Sequence, residues 1–366
     1  MNYRTWLLTL GAVAFHGCAR SPSEQPAPPA PSPVVAAAPA LSTPPPLDVA
    51  RLRAPFKPAP GAKEASGPAD TEAQVSLGYK LFFEPRLSKN HDISCNSCHN
   101  LATFGVDNKP VSDGHRGQKG TRNSPTVYNA AGHIAQFWDG RAPTLEVQAE
   151  GPLFNPVEMA LPDDKRLIAT LSSMPEYTRH FQQAFPGEKT PVSPDTVVRA
   201  IAAFERQLTT PSRFDTFLAG EERALTEQEH RGLELFVSTG CTTCHNGPAV
   251  GGTSFQKLGL AKDWPLLEDP GRFEVTKNEE DRARFRVPTL RNVDKTGPYL
   301  HDGSIQALPE MVRLMAKHQL GTDLAEPQVQ DVVAFLRSLT GELPQRYIQP
   351  PPLPASTAKT PPPDPL

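Results

Sequence analysis

The pattern Cys-x-x-Cys-His occurs twice in this chain, as Cys95-Asn96-Ser97-Cys98-His99 and as Cys241-Thr242-Thr243-Cys244-His245. It is the attachment signature of c-type haem: two thioethers fix the porphyrin edge, and the adjacent histidine becomes an axial iron ligand. A similar segment precedes each copy, Gly78-Tyr79-Lys80-Leu81-Phe82 and Gly232-Leu233-Glu234-Leu235-Phe236. The unit of helix, loop and motif is therefore repeated. Four of the five cysteines lie in these motifs. A structural zinc on four thiolates would leave both trailing histidines unexplained. A thioredoxin-like pair needs a βαβ setting, and no such alternation is present. Two covalently bound haem c groups are the expected cofactors.

The fifth cysteine, Cys18, closes an N-terminal segment in which Arg4 precedes a short apolar run, Trp6 to Phe15. The run is too short to span a bilayer and reads as a signal peptide over residues 1–18. Gly17-Cys18 resembles a lipobox, although Phe15-His16 departs from that pattern. The plainer alternative is an ordinary cleavage site nearby. Either route predicts export to the periplasm, which covalent haem attachment requires in bacteria, and lipidation of Cys18 would anchor the protein to a membrane. Residues 19–68 are rich in Pro, Ala and Ser and read as a linker; 348–366 form a similar Pro-rich tail. Much of the total of 42 prolines falls there. Both segments are expected to be disordered. The net charge of −3 gives no reason to expect a nucleic-acid partner.

Between them the periodicity is helical. Val198, Ile201, Phe204 and Leu208 share one face of a helix predicted over Asp195 to Leu208, with Pro194 in its first turn. Val329, Val332, Val333, Leu336 and Leu339 repeat in the same way after Pro327, and a further helix is predicted over Leu308 to Gln319. The expected fold is all-α: two cytochrome c-like haem domains with long loops, at 69–215 and 216–347.

The sixth iron position decides whether a haem carries electrons or does chemistry. Met311 and Met315 are the methionines that follow the second motif, four residues apart on one predicted helix. Both also suit core packing, and spacing does not choose between them. His115 lies among glycines in Asp113-Gly114-His115-Arg116-Gly117-Gln118-Lys119-Gly120. A histidine on such a loop reads either as a solvent-exposed side chain or as a ligand able to leave iron.

The chain resembles the bacterial di-haem cytochrome c peroxidases from about Gly78 to Thr340. The resemblance rests on "GQKGTRNSPTVYNA" (Gly117–Ala130), "QFWDGRAPTLEVQAEGP" (Gln136–Pro152), "VEM" (Val157–Met159), "VPTLRN" (Val287–Asn292), "TGPYLHDGS" (Thr296–Ser304) and "FLRSLTGELP" (Phe335–Pro344). It implies that the first haem, on Cys95, Cys98 and His99, is the peroxidatic one, with His115 as the distal ligand that leaves on activation. The second haem, on Cys241, Cys244 and His245, is then the electron-entry haem, with Met315 as its methionine ligand. Glu158 matches the catalytic acid and Gln148 its distal partner. Trp138 matches a tryptophan between the haems. Asn123, Thr296 and Pro298 match positions that supply oxygens to a calcium ion. His301 lies in a motif near the second haem and receives no ligand role.

The function so implied is reduction of hydrogen peroxide to water with electrons from a small cytochrome c or cupredoxin, in an enzyme whose family often forms homodimers. Two other functions compete. Di-haem enzymes that oxidise protein side chains during cofactor maturation use a tyrosine where Met315 stands. A plain two-haem electron carrier would need no counterpart of Glu158, Gln148 or a glycine-flanked His115.

Overall fold

A computed structural model describes residues 48–60, 70–265 and 267–365, together with Ala14 and Gly17. Cys18, the signal peptide and most of the linker lie outside the described residues. Asp48–Leu366 forms one compact unit. Its helices are α1 (Val49–Arg53), α2 (Glu72–Phe82), α3 (Cys95–Cys98), α4 (Leu145–Phe154), α5 (Asp164–Ser172), α6 (Pro175–Ala184), α7 (Pro194–Glu205), α8 (Arg213–Leu218), α9 (Glu227–Ser238), α10 (Phe273–Thr276), α11 (Leu308–Leu320) and α12 (Glu326–Ser338). Two three-residue strands, β1 (Phe255–Lys257) and β2 (Arg284–Arg286), pair antiparallel with Phe255 opposite Arg286. The fold is thus largely helical with long loops, as the periodicity implies. The helix predicted from Asp195 runs from Pro194 to Glu205, and those predicted near Leu308 and Val329 also form.

The repeat in the sequence is a repeat in space. In each half the helix before the motif crosses the closing helix: α2 packs on α7, and α9 on α12. The crossings are close because a glycine sits at each. A Cβ on Gly78 would fall 1.8 Å from the Ala200 carbonyl oxygen, and one on Gly232 would fall 1.9 Å from that of Asp331. Any side chain there would separate the helices. Capping helps define the starts. Thr71 and Thr226 each form a capping box, with Gln74 and Glu229 respectively. Aromatic residues fill the contacts, Phe82 against Phe204 and Phe236 against Phe335.

Two segments that composition assigns to linker and tail are held. Within 48–60, Leu52 and Phe56 are buried. Phe56 meets the Phe214 ring edge-on at 5.1 Å, and Gly247 N–H donates to the Pro55 carbonyl at 2.9 Å. Proline-rich composition does not anticipate this, because two apolar side chains at the right spacing suffice to dock a short helix. The tail beyond Gln349 has no helix or strand, yet it is laid along the first half rather than free. Lys80 Nζ donates to the Pro352 carbonyl at 3.0 Å, and Arg86 Nη2 to that of Pro354 at 2.8 Å. Asp364 N–H donates to the Lys89 carbonyl at 2.9 Å. Proline's missing N–H leaves its carbonyl as an acceptor, and basic side chains of the first half use it. Among the described residues no helix is long and apolar enough to cross a membrane.

Candidate haem sites

Both motifs adopt the same turn. His99 N–H donates to the Cys95 carbonyl at 2.9 Å, and His245 N–H to the Cys241 carbonyl at 3.0 Å. This brings each histidine round beneath its two cysteines. None of Cys95, Cys98, Cys241 and Cys244 is in a disulfide. Burial raises the thiol pKa of each. The Nδ1 atoms of His99 and His245 are buried without a hydrogen bond of good geometry. Burial pushes the His245 pKa down to about 4, against the opposing effect of backbone at Val250 and Pro288. His99 is lowered for the same reason, opposed by backbone at Gly105 and Pro125. Two neutral imidazoles, each fixed beside a free cysteine pair, fit the axial and thioether chemistry of haem c.

A second repeat, not read from the sequence above, supports each histidine. Pro125-Thr126-Val127-Tyr128-Asn129 and Pro288-Thr289-Leu290-Arg291-Asn292 share the pattern Pro-Thr-x-x-Asn. The proline backbone faces the motif histidine in both halves. The Thr126 hydroxyl donates to the Phe104 carbonyl at 2.7 Å, and that of Thr289 to the Ala249 carbonyl at 2.6 Å, each tying down the loop after its motif. Asn129 and Asn292 both adopt left-handed backbone, and their side chains meet at the Thr210 hydroxyl, at 2.8 and 2.9 Å. Internal comparison of the two halves was the signal that could have found these residues.

Around the second motif lies an apolar cavity of about 230 Å³. Cys241, Cys244 and His245 line it, as do both Met311 and Met315 from α11. Trp138, Asn123, Thr296, Pro298 and His301 line it as well. Trp138 Nε1 donates to the Asn123 carbonyl at 2.9 Å, and Asn123 N–H to the His301 carbonyl at 2.6 Å. His301 stacks on Phe285 with ring centroids 4.3 Å apart. Asn123 Nδ2 donates to the Lys109 carbonyl at 2.9 Å, which leaves Oδ1 without a donor among the described residues.

Around the first motif the structure joins three segments distant in sequence. His115 is buried, 4% exposed, which removes the solvent-loop reading. Its backbone N–H donates to two carbonyls, Val157 at 3.0 Å and Glu158 at 2.8 Å. Gly114 makes this approach possible, since a Cβ there would lie 1.9 Å from the Val157 oxygen. Glu158 belongs to the turn that follows α4. Asn155 builds that turn: its Oδ1 accepts from Val157 N–H at 3.0 Å and its Nδ2 donates to Glu158 Oε1 at 2.7 Å. Burial raises the Glu158 pKa, opposed by the Asn155 bond and by Arg141. Glu158 and Cys98 are electrostatic neighbours. Gln148 lies on α4, half-buried. Asn155 was missed from sequence; Asn before Pro at a helix end is the turn signal that marks it.

The chain belongs to the di-haem cytochrome c peroxidase family. Residues 72–223 match the family described as di-haem cytochrome c peroxidase. Among individual proteins it is 48% identical to a cytochrome c551 peroxidase of Pseudomonas aeruginosa, over 84% of this chain and 89% of that one. It is 46% identical to a cytochrome c551 peroxidase of Nitrosomonas europaea, over 78% of this chain and 85% of that one. A solved structure of a MauG-like protein associated with microbial copper homeostasis superposes with a TM-score of 0.71 at 30% identity, covering 81% of this chain and 97% of that one.

Proposed function

We propose the following division of labour in this di-haem cytochrome c peroxidase, which reduces hydrogen peroxide with electrons from a cytochrome. Cys95 and Cys98 would hold the first haem and Cys241 and Cys244 the second, with His99 and His245 as the histidines offered to their irons. When bound, the haems would supply redox-active iron, and His115 would be the residue held at or released from the first of them. Met315, rather than Met311, completes the second site. Trp138, from the first half of the sequence, contributes to the lining of the second cavity.

The observation that carries this reading is the backbone clamp between His115 and Val157-Glu158. His115 and Glu158 hang from one set of hydrogen bonds, so movement of one loop would displace the His115 side chain and shift the Glu158 carboxyl together. Glu158 would take a proton from peroxide and return it to the departing oxygen. Its desolvated carboxyl, with pKa above the ordinary range, suits a group that must both accept and donate. Asn155 holds it by Oε1, and Gln148 orients peroxide or water without titrating. Asn123, Thr296 and Pro298 offer one amide oxygen and backbone carbonyls, a donor set suited to calcium.

The finer points rest on sequence. The n-region and short apolar run support export to the periplasm, and Gly17-Cys18 supports lipid anchoring through Cys18. A small cytochrome c or a cupredoxin serves as donor, and two copies associate as a homodimer. His115→Gly tests the core of the proposal: the first haem of that variant should be high-spin in every redox state. A first haem that stays six-coordinate through another protein ligand defeats the switch.

A further inference from the structure

The cavity around the second motif holds one unexplained charge. Arg286, on β2, lines it and is 3% exposed. Its Nη1 is buried with no hydrogen-bond partner. Nε donates only at 3.3 Å, to the Phe137 carbonyl. Among the described residues lining the cavity Arg286 is the sole Arg or Lys, and none is Asp or Glu. Burying an unpaired guanidinium costs several kcal/mol. Burial alone lowers the Arg286 pKa to about 10. Such an arrangement calls for an anion supplied from outside the chain.

His133 lines the same wall and repeats the pattern. Both its ring nitrogens are buried without a well-formed hydrogen bond, and burial first, then the Arg286 charge, keeps it neutral. Gly252 leaves room for the ring, since a Cβ there would lie 2.3 Å from His133 Cδ2.

We propose that Arg286 binds a propionate carboxylate of the second haem, with His133 as a neutral donor beside it. This rests on the placement of that haem in the cavity. Haem c carries two propionates, the anions the apolar wall lacks. The pairing also orients the group. Arg286 Nε donates to the Phe137 carbonyl at 3.3 Å, so a propionate held by this guanidinium would lie beside the Phe137-Trp138 segment. Arg286 is a positioning residue that also tunes potential: an unpaired carboxylate near iron favours the ferric state, and a paired one does so less.

The test compares parent holoprotein with Arg286→Met and Arg286→Lys. Haem content is counted by pyridine haemochrome, and the second-haem potential is titrated across the neutral pH range. In R286M we expect both haems retained and the equilibrium constant for second-haem reduction lowered about tenfold, which is about 59 mV for one electron. That potential should also become pH-dependent, because the released carboxylate then titrates in a dry site. R286K should stay within about threefold of the parent. The first-haem potential should not move. An equilibrium constant for second-haem reduction in R286M within about twofold of the parent's at every pH overturns the proposal. Should R286M fail to accumulate, a structure of the parent holoprotein decides. A propionate oxygen about 2.8 Å from Arg286 Nη1 supports the pairing, and propionates at the opposite wall refute it. Fewer than two haems in the parent would instead remove the haem assignment beneath it.

Discussion

Gly114→Ala addresses the clamp directly. Gly114 has φ −101 and ψ −155, extended backbone that alanine adopts without strain. The effect of the substitution is therefore a collision and not a backbone preference. The new Cβ would sit 1.9 Å from the Val157 oxygen, 2.9 Å from its carbonyl carbon and 3.0 Å from Glu158 Cα. All three are main-chain atoms that cannot swing aside, so the His115 loop must retreat by about 1 Å. That stretches the 2.8 and 3.0 Å bonds from His115 N–H beyond useful range. Losing the bond costs about 1 kcal/mol, and leaving a buried donor unpaired adds on the order of another. About 2 kcal/mol shifts the balance between closed and open loop roughly thirtyfold. The assay is the spin state of the first haem in fully oxidised protein, read by electron paramagnetic resonance and visible absorption. G114A should show a larger high-spin fraction of the first haem than the parent in fully oxidised protein. A first haem as low-spin as the parent's would refute the idea that this contact holds His115 in place.

Three further outcomes are expected. Glu158→Gln should lower peroxide turnover by about a hundredfold or more, with haem content unchanged. Because the Glu158 pKa is raised and the carboxylate must first accept a proton, parent turnover should fall as pH drops through a value above the ordinary 4.5; the same limb in E158Q would count against the role. Glu205 is buried on α7 with its pKa raised to about 8 by desolvation. The folded state binds that proton more tightly than the unfolded one, so stability should decline between about pH 4.5 and 8 and then level off. Thermal unfolding of Glu205→Gln should lack this component. Gly232→Ala should destabilise the second half by about 1–3 kcal/mol by forcing α9 off α12, seen as a lower Tm and faster amide exchange in both helices; an unchanged Tm would mean that the crossing can relax.

Much of this protein is written locally. Each Cys-x-x-Cys-His places its cysteines one helical turn apart with the histidine next in line, so attachment and axial ligation need no distant residue. The main closing helices follow from apolar spacing, because an amphipathic stripe must be buried somewhere. Composition misjudged residues 48–60 and the tail: Phe56 and Leu52 dock a short helix, and basic side chains of the first half capture the proline-rich tail through its carbonyls.

What the chain could not declare by itself is what depends on distance in space. A glycine before His115 reads as looseness in sequence; in the fold it is the point where two backbones nearly touch, and it holds the histidine in. Asn155 reads as a turn residue and proves to grip the Glu158 carboxyl. Arg286 reads as one surface charge among 37 Lys and Arg, and only burial against an apolar cavity with no acid reveals it as a charge left without a partner in the chain. Covalent chemistry and periodicity act between neighbours along the chain, whereas desolvation and steric exclusion act between whatever folding brings together.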